Sequence, residues 1–120
     1  MPSFFTLLPH RSVISVAGAD RVEFLQGLIS NDTTKVAPDR AIWAALLTPQ
    51  GRFLNDMFVA DAGNDTFFLE TERERAPALA KKLKMYTLRS KVTVEDLGAA
   101  FDVAVAFGDG KFLVSERGQD

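Results

Sequence analysis

Between Trp43 and Val59 two apolar runs flank the turn residues Pro49-Gln50-Gly51, and a carboxylate, Asp56, sits well inside the second run. Ala41 to Leu47 is apolar on both pleat faces and Phe53 to Ala60 answers it across a short connection, which predicts a β-hairpin covered on both sides. With Gln50 and Gly51 as the central turn residues, Leu47 faces Leu54, Ala45 faces Asp56 and Trp43 faces Phe58. Side chains alternate along a strand, so Asp56 shares one face with Trp43, Ala45, Leu54 and Phe58. A buried ionised carboxylate is costly unless something pairs with it, and desolvation raises its pKa. Two readings follow. Asp56 is a structural charge, bridged to Arg11, Arg40 or Arg52 or blocking a sheet edge; or it is a ligand anchor, accepting N–H donors from a flat heteroaromatic ring packed on Trp43 and Phe58.

The remaining composition narrows the function classes. At 120 residues and 47% hydrophobic, the chain has the size of one domain. Its 14 basic and 16 acidic residues are mixed along the sequence, for a net charge of -2, which argues against a nucleic-acid partner. With no cysteine there is no disulfide, thiolate metal site or Cys nucleophile, and the single His10 cannot build a metal site alone. No metal is expected. The N-terminus lacks a basic n-region and a long apolar stretch, and no apolar run approaches a membrane span, so a cytoplasmic protein with no membrane partner is expected. The Asn-Asp-Thr sequons at Asn31 and Asn64 read as turn chemistry.

Along the chain, Ser12 to Ala17 reads as a first strand ended by Gly18. Asp20 and Glu23 resemble a capping box for a helix whose apolar face is Val22, Phe24, Leu25, Leu28 and Ile29, broken at Ser30 to Thr34. After the hairpin, Ala62 to Asp65 turns the chain into a strand from Thr66 to Glu70, so residues 41–71 form an antiparallel meander. A second helix follows from about Pro77, with Ala76, Leu79, Ala80, Leu83 and Tyr86 on one face and Lys81, Lys82 and Lys84 mostly on a solvated one. Arg89 to Glu95 alternates, with Val92 and Val94 facing inward. Phe101 to Phe107 gives another strand, turned by Gly108-Asp109-Gly110 into Lys111 to Ser115. The fold class is α+β: a mostly antiparallel sheet in β-α-β-β-β-α-β order with two helices on one face.

Catalytic motifs are lacking. Gly108-Asp109-Gly110-Lys111 has neither the spacing nor the following helix of a phosphate loop, and no nucleophile elbow accompanies His10.

The run Gly18 to Asp32, Gly-Ala-Asp-Arg-Val-Glu-Phe-Leu-Gln-Gly-Leu-Ile-Ser-Asn-Asp, resembles the G-x-D-x-x-x-F-L-Q-G-L-x-[ST]-N-D signature of the YgfZ-type folate-binding proteins, relatives of the glycine-cleavage T-protein, an aminomethyltransferase. Gln50 to Asp56 resembles their x-G-[GKR]-x-x-x-D hairpin, and Tyr86 to Val92 their Y-x-x-x-S-K-V segment. The resemblance covers roughly residues 8 to 107. It implies a tetrahydrofolate-binding cavity to which the hairpin contributes, with the family's hairpin aspartate falling on Asp56 and a pocket residue on Trp43. Asn55, where the T-protein usually has Asp, favours the YgfZ side. The K-G-C-Y-x-G-Q-E signature of the family's second half is absent.

The resemblance therefore implies residues 1–98 as a folate-binding N-terminal domain and residues 99–120 as the start of a next segment in a truncated chain. It implies a role in iron–sulfur cluster assembly or repair, with tetrahydrofolate or a derivative as cofactor and iron–sulfur proteins or assembly factors as partners. The expected folate site is Asp56, Trp43, Leu54 and Phe58, with Arg11 at the rim and no catalytic residue. The alternatives are an aminomethyltransferase-like one-carbon-transfer domain, with Asp56 positioning the folate, and a non-catalytic α+β interaction domain. A fragment of this kind is expected to expose apolar surface and to self-associate.

Overall fold

The computed structural model describes residues 5–7, 9–47, 53–98, 101–106 and 111–116, with 5–7, 47, 53, 54, 101–106 and 111–116 described as backbone alone. The elements in chain order are β1 (Phe5–Leu7), β2 (Arg11–Ala17), α1 (Arg21–Gln26), a 3-10 turn (Thr33–Lys35), β3 (Ile42–Leu47), β4 (Phe53–Gly63), β5 (Thr66–Glu72), α2 (Ala76–Met85), β6 (Thr93–Asp96), β7 (Phe101–Ala106) and β8 (Lys111–Glu116). A five-stranded antiparallel sheet runs β3-β4-β5-β2-β6, and a second sheet of three strands runs β1-β7-β8. The α+β expectation holds, with the short β1 as an element the sequence reading did not contain.

The helices share one face of the five-stranded sheet. Ile14, Val16, Ile42, Ala44, Leu46, Met57, Val59, Phe67, Leu69 and Val94 alternate along their strands onto that face and form one core cluster with Phe24 and Leu25 of α1 and Ala76, Leu79, Ala80 and Leu83 of α2. The meander is closed by a two-residue hairpin turn in which Asn64 and Asp65 both take positive φ, 53° and 55°. Both φ values match the turn that suits the right-handed twist of the flanking strands. Arg21 ties this turn to α1, its guanidinium 3.3 Å from Asp65 and 4.9 Å from the centre of the Phe67 ring.

Three local expectations change. α1 has no capping box: Asp20 makes no side-chain cap, and its Oδ2 accepts the Lys91 N–H at 2.9 Å instead. The strand expected from Arg89 begins only at Thr93, because residues 88–91 turn, with Ser90 N–H bonded to Thr87 O, and Lys91 is spent on Asp20. Val94 is buried as expected, whereas Val92 packs at the margin of the core. α2 starts at Ala76 with Pro77 in the first turn, where a missing N–H costs nothing. Tyr86, expected on its buried face, is the exposed C-cap residue.

Candidate functional site

β3 and β4 pair with Ala45 opposite Asp56 and Trp43 opposite Phe58, as the sequence predicts. Leu47 pairs with Phe53 and not with Leu54, because the register shifts after Leu46. The connecting residues 48–52, including the expected turn pair Gln50-Gly51, lie outside the described residues, as does the Leu54 side chain.

These positions fall on the sheet face opposite the helices. Register extends that face across the sheet, since Phe58 pairs with Glu70 and Glu70 with Val13. Arg11 lies one pleat repeat further along β2, diagonal to Glu70. The two side chains form a bidentate pair: Arg11 Nε donates to Glu70 Oε2 at 2.9 Å and Arg11 Nη2 to Glu70 Oε1. Glu70 is only 4% exposed, so its charge needs this partner. The hydrogen bond to Glu70 raises the Arg11 pKa above its ordinary value against the opposing effect of burial, and the fields of Glu70, Asp56 and Glu72 add to the shift.

Asp56 is near enough to act on Arg11 electrostatically, yet no hydrogen bond or ion pair holds its carboxylate among the described residues. Arg11 is committed to Glu70, Arg52 is outside the described residues, and Arg40 is exposed in a turn closed by its own backbone with Ala37. The face thus carries a half-buried carboxylate beside half-buried Phe58, with buried Ala45 opposite and the 49% exposed Trp43 indole on the diagonal.

The segment after α1 fixes the edge strand of this site. Ile29 bridges to Leu46, Ser30 N–H donates to Ala45 O, and Ala45 N–H donates to Ser30 Oγ at 3.0 Å. Asn31 Nδ2 donates to Trp43 O at 2.8 Å. The segment is itself held from both sides. Gln26 Oε1 accepts the Thr33 N–H at 2.7 Å, and Asp32 accepts from the backbone and hydroxyl of Thr34, which keeps its carboxyl below the usual range. The sequence shows Ser30 to Thr34 as a helix breaker and as part of the family signature, without its bonds to β3. Glu70 was also missed, although a carboxylate ending the apolar run Phe67-Phe68-Leu69 repeats the signal that marked Asp56.

A sheet with two helices on one face and a carboxylate-bearing hairpin on the other belongs to a recognisable class. The model of the GCVT N-terminal domain matches residues 9–108, and the chain belongs to that family. It is 35% identical over 112 residues to a protein of Mycosarcoma maydis named iron-sulfur cluster assembly factor IBA57 homolog, mitochondrial, a match covering 83% of this chain and 28% of the relative. The Phaeosphaeria nodorum protein of the same name is 34% identical over 123 residues, 93% of this chain and 30% of the relative. The chain thus spans under a third of the length of these relatives. Among solved structures, the glycine cleavage system aminomethyltransferase T from Bartonella henselae has a TM-score of 0.74 at 19% identity, covering 87% of this chain and 28% of that one. At that identity the likeness shows the fold. The family resemblance read from Gly18 to Asp32 is borne out. The cytoplasmic expectation is corrected, because the similar fungal proteins are named mitochondrial.

Proposed function

We propose that this chain is the folate-binding portion of an iron–sulfur cluster assembly factor, with the ligand held on the sheet face opposite the helices. The observation that carries the ligand reading is Asp56: a half-buried carboxylate among aromatic neighbours, with no partner among the described residues while the adjacent Arg11 is taken by Glu70. A pterin presents neighbouring N–H donors on a flat edge, and a carboxylate accepts two such bonds side by side. Phe58 and Trp43 supply aromatic surface for the ring. Arg11 is paired with Glu70, so among the described residues this face keeps a net negative character that favours N–H donors over anions. The assembly role rests on the names of the relatives. With no cysteine in its 120 residues, this stretch itself offers no thiolate to a cluster.

Isothermal titration of folinic acid into the chain and its Asp56→Ala variant tests the reading. Loss of a charge-assisted pair of hydrogen bonds predicts a weakening of about 10-fold or more. Equal affinity in the two proteins would end the anchor hypothesis.

A further inference from the structure

The C-terminal end of α2 and the turn after it form a surface that the folate reading does not use. Met85 is 64% exposed, Tyr86 47% and Leu88 90%, three large apolar side chains within four residues of one another. Isolated apolar residues on a surface need no explanation, but a cluster of this kind does. The cluster sits in a basic field. Arg75, Lys81, Lys82, Lys84, Arg89 and Lys91 succeed one another with no acid before Glu95, in a chain whose net charge is -2, so the remaining residues are markedly acidic. Lys81, Lys84, Arg89 and Lys91 are exposed and form no ion pair among the described residues. The carboxylate that does reach this stretch, that of Asp20, takes the Lys91 backbone N–H at 2.9 Å.

Helix-dipole stabilisation accounts for part of the pattern, since Lys82 and Lys84 lie in the last turn of α2. It accounts for neither Arg89 and Lys91, which lie beyond the helix, nor the exposure of Leu88. Lys81 is one helical turn from both Lys84 and Met85, so like charges flank the apolar cluster on one side of the helix. The backbone beneath is ordered: Tyr86 N–H bonds to Leu83 O, Thr87 N–H to Lys84 O, Thr87 Oγ to the same Lys84 carbonyl, and Ser90 N–H to Thr87 O. Such a surface is preformed, and little ordering entropy opposes its use.

We infer that this surface docks an acidic segment of a partner protein, with an apolar side chain of that segment seated among Met85, Tyr86 and Leu88 and its carboxylates facing Lys81, Lys84, Arg89 and Lys91. Charge complementarity selects the occupant. A short acidic segment meets only the basic stretch, whereas an extended anionic membrane surface also meets the acidic remainder of the chain and is repelled by it. The apolar cluster supplies the anchor and the surrounding cations set orientation and on-rate.

The test uses the chain as it stands and three probes in fluorescence anisotropy or co-sedimentation: a synthetic peptide of alternating Glu and Asp around a central Phe-Leu pair, the same peptide with Ser-Ser at its centre, and vesicles of phosphatidylcholine with phosphatidylglycerol. The first peptide is expected to bind at least 10-fold more tightly than the second, and to weaken as salt rises. Leu88→Ser and Lys84→Glu/Arg89→Glu should each reduce its binding about 10-fold, and Leu88→Met should retain it. All these positions are exposed, and an unchanged circular dichroism spectrum confirms that the variants fold. No binding of the Phe-Leu peptide, binding indifferent to the variants, or preference for the vesicles would overturn the proposal.

Discussion

Arg11 and Glu70 show how one residue's role depends on a neighbour that sequence alone did not single out. Arg11, expected at the rim of a ligand site, has its guanidinium matched to the nearly inaccessible Glu70 carboxylate. Removing one partner of such a pair strands a buried charge, whereas replacing both with apolar residues removes the desolvation cost together with the attraction. Arg11→Met should therefore cost about 3 kcal/mol in urea unfolding. The double variant Arg11→Met/Glu70→Leu should recover most of that loss. If the double variant is as unstable as the single one, the pair is not what Glu70 contributes.

At the scale of elements, the loop from Ile29 to Asn31 is an added partner for the edge strand β3. Ser30 satisfies the N–H of buried Ala45 with its hydroxyl and the carbonyl with its own amide, so the residue facing Asp56 is fixed from outside the hairpin. Ser30→Ala should lower stability by about 1–2 kcal/mol by leaving a buried donor unmet, and should speed hydrogen exchange at the Ala45 amide. Unaltered exchange at that amide would assign the edge some other fastening. Much of this was legible beforehand. The strands of the β3–β5 meander were legible, and the pairing of Ala45 with Asp56 and Trp43 with Phe58 followed from the short connection. Several of the local misreadings share one cause. Asp20, Ser30, Asn31 and Lys91 have local patterns of a cap, a breaker or a strand, but their polar groups are spent on residues distant in sequence. Only the tertiary arrangement reveals such partners. The bulge after Leu46 was invisible for a related reason, since apolar residues on both pleat faces leave the register free to slip by one.

Across the whole molecule the loop before α1 and the turn before β6 are pressed together at Gly18. Its φ of +132° is strained for any side chain, and an added Cβ would lie 2.0 Å from the Lys91 carbonyl oxygen. The atoms it would meet, the Lys91 carbonyl and the Val92 Cα, are backbone and not a flexible side chain that could move aside. Gly18→Ala should cost at least about 3 kcal/mol, measured as a drop in the unfolding midpoint at unchanged denaturant slope. An unfolding free energy within a few tenths of a kcal/mol of the parent would mean that the two loops separate freely.

The strand order has a consequence for how the chain is made. β2 leaves the ribosome first among the strands of its sheet but is flanked in the finished protein by β5 and β6, both translated after the intervening hairpin. At about 5–20 residues per second its apolar residues, Val13, Ile14 and Val16, stay without neighbouring strands for several seconds of synthesis. The β3–β5 meander, whose pairings are all between consecutive strands, can assemble in that interval and present β5 as a ready edge. A nascent chain shielded during that wait is therefore expected to fold in higher yield than one left exposed.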